Sequence, residues 1–378
     1  VPLFLKTVYE TGSEEARLTA VDEILSEEVK EPPVVHVKTP KSVKAVYMTS
    51  CVAGTPSLRS KLATLVEETE LNSIVIDIKD YSGNISFVSG IPLLKEAVGI
   101  TCKIADLKDF IRSLHEKDIY VIRRITVFQD PFFAKKRPDL AVQKESDKTI
   151  WKDYKGISFI DVGAREYWGY IIDLSKESYK IGFDELNYDY IRFPSDGNMR
   201  DIYYPWSEER VVADPLFGKA HVLKEFFAHL YEALKNTGVV LSADLFGMST
   251  TNTDDLNIGQ VLEFAEPYFD FIAPMVYPSH YPKGFNGYQN VNAYPYEIVK
   301  FSIDRAVLRL ITASSTPEKL RPWLQDFDYP VPYTPEMVKA QMQATYDAGL
   351  DSWMLWDPTN TYTPEILQPN LPTSDVSR

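Results

Sequence analysis

Along the chain, short apolar runs bounded by turn residues alternate with longer stretches whose apolar positions recur at helical spacing. Residues 44–50 and 73–79 read as buried strands, and 56–70 between them reads as a helix with Leu58, Leu62, Leu65 and Val66 on one face. A helix over 104–117 keeps Leu107, Phe110, Ile111 and Leu114 at core spacing and leads into a third strand, 119–128, with Arg124 and Thr126 on the parity of Tyr120. Further helices are expected over 164–179, 217–236, 258–265, 296–310 and 335–348. Between them lie strands over 239–246, 270–276, 321–327 and 352–356, and a stretch over 181–197 that reads as a strand running into a polar loop. Two long aromatic loops, 129–162 and the one through Tyr203, Tyr204 and Trp206, interrupt the alternation, and long loops in a compact domain are usually functional or disordered.

Eight strands alternating with helices, in one compositional regime and without a dinucleotide glycine fingerprint, predict an α/β chain folded as a (β/α)8 TIM barrel. A doubly wound open sheet is the alternative, since it alternates in the same way. Residues 1–40 lack an apolar period and end in proline-rich sequence, so they read as an N-terminal linker or arm; the barrel is expected over 41–367 and a flexible tail over 368–378. On this reading, deleting 1–38 leaves the barrel folded.

The stretch over 181–197 has the densest chemistry. Alternation along a strand puts Glu185, Asn187 and Asp189 on one face and Asp184, Leu186, Tyr188 and Tyr190 on the other. A row of Glu, Asn and Asp in a buried strand is expensive to desolvate, so it is expected to face a cavity; an edge strand with one solvated face is the plainer reading. In a barrel, active sites lie at the C-terminal ends of the strands. The polar residues expected to converge there are Asp77 and Lys79, Arg124, the strand-four row, Asp244, Tyr277 and His280, Arg321, Trp323 and Gln325, and Trp356 and Asp357. Asp189 and Asp244, from neighbouring strands, are the pair that glycoside hydrolysis needs, one ionised and one protonated. Asp189 is expected to be the nucleophile, held ionised by nearby Arg192 and Asn187, and Asp244 the acid, desolvated beside Leu245 and Phe246. Plainer roles are open for several: Asp77 could pair with Lys79, Arg124 could neutralise Glu185, His280 could anchor its loop, and Trp353 and Trp356 could be core.

Composition narrows the partners. A net charge of −14 with no basic block argues against nucleic acid or an anionic membrane, while 23 tyrosines and 6 tryptophans supply flat amphipathic surfaces suited to sugar rings. No apolar run is long enough to span a membrane. The start at Val1 suggests a processed N-terminus from which an export signal has been removed, so an extracytoplasmic or cell-surface location is expected. The five histidines lack ligand spacing, and no metal or cofactor is expected. Cys51 and Cys102 fall in loops after neighbouring early strands, where they could pair as a disulfide.

The run 182–197 resembles the signature of a family of bacterial glycoside-hydrolase-like proteins long classed as a domain of unknown function. The segments 75–80, 242–247, 273–281 and 353–358 match it as well, so the resemblance covers most of 44–362. It implies a TIM-type barrel distantly similar to the α-amylase-like glycosidases, whose strand-four aspartate nucleophile maps to Asp189. Those enzymes place a glutamate acid after strand five, where this chain has Asp244, which leaves Glu185 as the substitute acid. Position 357 is Asp where the family pattern has Asn, making the strand-eight mouth more acidic. The leading expectation is therefore a retaining glycosidase acting on an α-linked oligo- or polysaccharide. A non-catalytic carbohydrate-binding barrel is the alternative, and a Schiff-base aldolase using Lys79 ranks last because Asp77 and Asp80 would keep that lysine charged.

Overall fold

The computed structural model of the chain describes residues 33–369. Residues 1–32 of the expected arm and 370–378 of the expected tail lie outside them. Eight parallel strands close in sequence order into a barrel. They are β1 Lys44–Met48, β2 Ser73–Lys79, β3 Tyr120–Thr126, β4 Glu185–Asp189, β5 Val240–Phe246, β6 Phe271–Met275, β7 Trp323–Gln325 and β8 Trp353–Trp356, and β8 pairs back onto β1. The barrel expectation holds and the open sheet is excluded.

Helices cover the outside of the strands. Pro56–Glu68, Pro295–Thr312 and Pro335–Asp347 each begin on a proline, whose missing N–H costs nothing in a first turn. Arg165–Ile181 stops at Gly182, whose φ of +120° only glycine adopts without strain, and the chain turns there into β4. The larger core lies between strands and helices, and a second one fills the barrel lumen with Ala45, Tyr47, Val75, Tyr120, Ile122, Ala273, Trp323 and Met354. The lumen is therefore packed rather than an open pore.

Alternation fails at one place. Between Asp77 and Lys79 the pairing of β2 with β3 slips, Asp77 lying opposite Arg124 and Lys79 opposite Ile125. The slip removes Lys79 from the face it was expected to share with Asp77. Cys51 and Cys102 are joined in a disulfide, which ties the segment after β1 to the one before the helix Leu107–His115. Among the described residues no helix is long and apolar enough to cross a membrane.

Candidate active site

The last paired residues of β4 and β5 are Tyr188 and Ala243, so the next residue on each strand is Asp189 and Asp244 respectively. Adjacent strands lie roughly 4.8 Å apart, which puts the two carboxylates side by side at the C-terminal end of the lumen. Both are almost completely buried. β4 stops there because Tyr190 takes a φ of +50°. That conformation costs a bulky side chain roughly 1–2 kcal/mol, the kind of strain that collects at functional sites.

Arg124, from β3, organises one half of the site. Its Nε donates to Asp189 Oδ2 at 3.1 Å, its Nη2 makes a further short bond to the same oxygen, and its Nη1 donates to Asp77 Oδ2 at 2.9 Å. Tyr47 Oη donates to the same Asp77 oxygen at 2.8 Å. The N–H of Tyr190 donates to Asp189 Oδ1 at 2.5 Å. Burial alone would weaken the charge on Arg124, but Asp189 and Asp77 outweigh it and hold the guanidinium more firmly protonated than usual. Burial raises the pKa of Asp77, with Arg124 opposing it.

The other half is built on Asp244. Asn187 Nδ2 donates to its Oδ1 at 2.8 Å and to Ser242 Oγ at 3.1 Å, and Trp323 Nε1 reaches the same Oδ1 across the lumen at 2.7 Å. Burial first, then the neighbouring charge of Asp189, push the Asp244 pKa well above the carboxylate range, against these two hydrogen bonds. With both bonds on Oδ1, the proton of the neutral acid belongs on Oδ2. Tyr277 lines the same mouth, and burial plus the charges of Asp244 and Asp189 keep its phenol protonated. Asp77 Oδ1 and Asn187 Oδ1 are buried without a protein partner, so the site retains acceptors that its own side chains leave unfilled.

Two clefts open at the barrel mouth. One, of about 430 Å³, is lined by Gln129, Asp153, Tyr190, Arg192 and Asp196 among others; the second, of about 870 Å³, is lined by His280, Asp326, Phe327, Asp328, Tyr333, Asp357 and Tyr362, and Lys155 borders both. In the larger cleft burial lowers the His280 pKa and raises that of Asp357, and pushes Asp326 up to about 6. Trp356 stacks on Tyr47 with ring centroids 3.9 Å apart and stands edge-on to Trp323 at 5.4 Å. The loop between β4 and the next helices is pinned at Gly197, where a Cβ would lie 2.4 Å from a ring carbon of Trp151.

The structure thus gathers Asp77, Arg124, Asn187, Asp189, Asp244, Tyr277, Trp323 and Trp356 at one end of the lumen, with Arg192, His280 and Asp357 in the flanking clefts. It places four expected residues elsewhere. Glu185, the substitute acid, begins β4 four residues before Asp189, roughly 13 Å down the lumen at the strand rise. There its Oε2 accepts from Arg321 Nη1 at 2.7 Å and from Tyr120 Oη at 2.9 Å, so Arg321 belongs to that lower layer too. Lys79 is fully buried, paired with Asp130 at 2.9 Å and bonded to the carbonyl of Thr126 at 2.7 Å. That is a charged structural tie, unsuited to Schiff-base chemistry. Gln325 Nε2 donates to the carbonyls of Phe327 and Tyr329 at 3.1 and 3.0 Å and so braces the loop after β7. Arg192 and Asn187 do not hold Asp189 by hydrogen bonds; Arg124 does. Tyr47 and Tyr190 were not anticipated, although Tyr47 shares the lumen parity of β1 and Tyr190 directly follows Asp189.

Comparison with known structures agrees with this barrel. The glycoside hydrolase domain of PgaB (BpsB) from Bordetella bronchiseptica superposes with a TM-score of 0.59 at 15% identity, over 86% of this chain and 94% of that one. The α-L-fucosidase isoenzyme 2 of Paenibacillus thiaminolyticus gives 0.56 at 12% identity, over 86% of this chain and 47% of that one. A hypothetical protein from Ruminiclostridium thermocellum is 31% identical over 53% of this chain and 96% of that one, with a TM-score of 0.45. No curated protein sequence gives a significant match. The profile of a family described as a putative glycosyl hydrolase domain matches residues 45–362, and the chain belongs to that family.

Proposed function

We propose that the protein hydrolyses an α-linked oligo- or polysaccharide with retention of configuration, Asp189 acting as nucleophile and Asp244 as general acid. The observation that carries this reading is a charge imbalance. Arg124 bonds directly to Asp189 and Asp77, while Asp244 beside them receives only neutral donors. Three buried carboxylates around one guanidinium cannot all ionise cheaply, and the one without the cation is the one whose proton is held. The site is thereby divided into an ionised and a protonated carboxyl, the division that glycosidases use.

In the first step an Asp189 oxygen attacks the anomeric carbon while the Oδ2 proton of Asp244 passes to the glycosidic oxygen, whose bond to that carbon breaks. In the second, the Asp244 carboxylate takes a proton from water, the water oxygen bonds to the anomeric carbon, and the ester to Asp189 breaks. Trp356, partly exposed at the rim and backed by the buried Tyr47 ring, offers an aromatic surface for a sugar ring. The disulfide supports an oxidising, extracytoplasmic setting.

The test is a panel of α- and β-linked oligosaccharides followed by mass spectrometry, with NMR of the first product to read its anomer. Release from an α-linked substrate with an α-anomeric first product is expected. Release only from β-linked chains, or a β-anomer first, overturns linkage or retention. Binding without any release would instead leave a carbohydrate-binding barrel.

A further inference from the structure

The cleft of about 430 Å³ beside Asp189 is not needed for the chemistry just described, yet it is equipped with polar groups whose bonding capacity is unused. Arg192 stands three residues past Asp189 and bonds through Nη1 alone, to the Phe193 carbonyl and Ser195 Oγ, each at 3.0 Å. Its Nε and Nη2 carry three further N–H groups. Gln129 is only 4% exposed, and its Oε1 is buried without a partner. Asp153 spends Oδ1 on the N–H groups of Lys155 and Ile157, at 2.9 and 2.8 Å. Asp196 and the Lys155 amine complete the rim. Folding that leaves a buried amide oxygen unfilled beside a cation with spare donors is costly unless something else supplies the missing bonds.

The chemistry of the missing partner follows from the balance of charges. Two cations, Arg192 and Lys155, face two carboxylates, Asp153 and Asp196, so the cleft has no preference for an acidic or a basic ligand. What it offers is donors and acceptors side by side on planar side chains, the arrangement that vicinal hydroxyls satisfy because each both gives and takes a hydrogen bond. The guanidinium lies over the Tyr190 ring at 5.2 Å, which holds that aromatic face at the cleft. Lys155 borders this cleft and the 870 Å³ cleft alike, so a chain entering one can continue across the mouth into the other.

We propose that this cleft is a subsite for an uncharged, hydroxyl-rich sugar unit of a polysaccharide that lies across the barrel mouth, with Gln129 and Arg192 as its specificity-determining contacts. The assignment rests on the glycosidase reading for its sugar class, but binding and cleavage can be measured separately.

Affinity electrophoresis through gels containing pullulan, dextran, amylopectin, chitosan or polygalacturonate reads binding, and reducing-end release from the same polymers reads cleavage. Retardation by at least one of the three neutral polymers is expected. Gln129→Leu and Arg192→Met should each weaken it by about tenfold, as loss of one or two hydrogen bonds to a ligand does. If Gln129→Leu fails to fold, Arg192→Met, at a partly exposed position, carries the test. The subsite is overturned by unchanged retardation in the folded variants, by retardation in chitosan or polygalacturonate alone, or by no retardation in any neutral polymer. Variant-sensitive retardation without reducing-end release keeps the subsite and removes the glycosidase reading; release that the variants leave untouched does the reverse.

Discussion

β4 carries an acid at each end, and both face the lumen. At its start Glu185 meets Arg321 and Tyr120; at its end Asp189 meets Arg124. Each is a buried carboxylate on a buried arginine, yet the surroundings differ. The lower layer is closed: Tyr120 is capped in turn by Thr39 at 3.1 Å, and Asp184 nearby binds the N–H of Val37, the N–H of Val121 and the ring of His115. The upper layer has Asp244 without a cation, Asp77 Oδ1 and Asn187 Oδ1 unfilled, and a strained Tyr190. An arginine–carboxylate pair is therefore no sign of function by itself. Bonding capacity left over is the better sign.

The contrast is broken most sharply by removing one charge from each layer. Asp189→Asn is expected to lower turnover by at least about 10³-fold with sugar binding kept, since a nucleophile acts as part of a unit whose loss is nearly total. Arg124 retains Asp77, so the fold should survive. Glu185→Gln should do the opposite: it leaves Arg321 buried and unpaired, at a cost of ~3–5 kcal/mol, while the activity of the folded fraction is kept. Denaturant titration beside initial rates separates the two. Equal losses of activity in both variants would erase the distinction between the layers.

Asp244→Asn sharpens the upper layer. Substrates with activated leaving groups need no proton and should turn over within a few-fold of the unmodified protein, whereas natural glycosides should fall by roughly 10²–10⁴-fold. Stability carries a second signature. Folding raises the Asp244 pKa above its ordinary 3.8, so its contribution is fully present below that value and is lost as pH rises through the raised one. The amide loses nothing over that range, so melting temperatures of variant and parent should diverge in the variant's favour as pH rises above 4, and converge below it.

How much of this was legible follows from what periodicity encodes. Strand and helix periods specify alternation, and with it the barrel, nearly all of its elements and the face shared by Glu185, Asn187 and Asp189. Parity does not specify depth, so Arg124 could be assigned to Glu185 as readily as to Asp189 although the two lie at opposite ends of one strand. The slip that turns Lys79 toward Asp130 depends on hydrogen bonds between strands and leaves no mark in one strand's pattern. β7 is three residues long, with one paired position on β6, too short to show a period. The desolvation that raises the Asp244 pKa was readable from its apolar neighbours, but the cation that bonds Asp189 instead of Asp244 comes from another strand.

The closed end gives a smaller effect. A chain starting at Lys41 lacks the N–H of Val37, the His36 ring stacked on Tyr179 at 4.0 Å, and the Thr39 hydroxyl on Tyr120. Compared with a chain starting at His36 it should lose ~1–3 kcal/mol, because Asp184 and Tyr120 are left short of partners, while kcat is unaltered. Identical denaturation midpoints would mean that the segment lies against the barrel without stabilising it.

The finest distinction concerns one hydrogen bond. Trp323 donates from β7, two strands along from β5, to the oxygen of Asp244 that also accepts from Asn187. A donor to a carboxyl favours the ionised form, so Trp323 works against the burial that keeps Asp244 protonated. Trp323→Phe preserves an aromatic ring against Trp356 and deletes the N–H. The acid should then hold its proton to higher pH, and the alkaline limb of the kcat/KM profile should move up by less than about one pH unit. The bonds from Arg124 to Asp189 are untouched by the change. Loss of packing would lower the whole profile without moving either limb. A shift of the alkaline limb toward lower pH would mean that the indole supports the protonated acid, and that Asp244 owes its proton to something other than burial and the charge of Asp189.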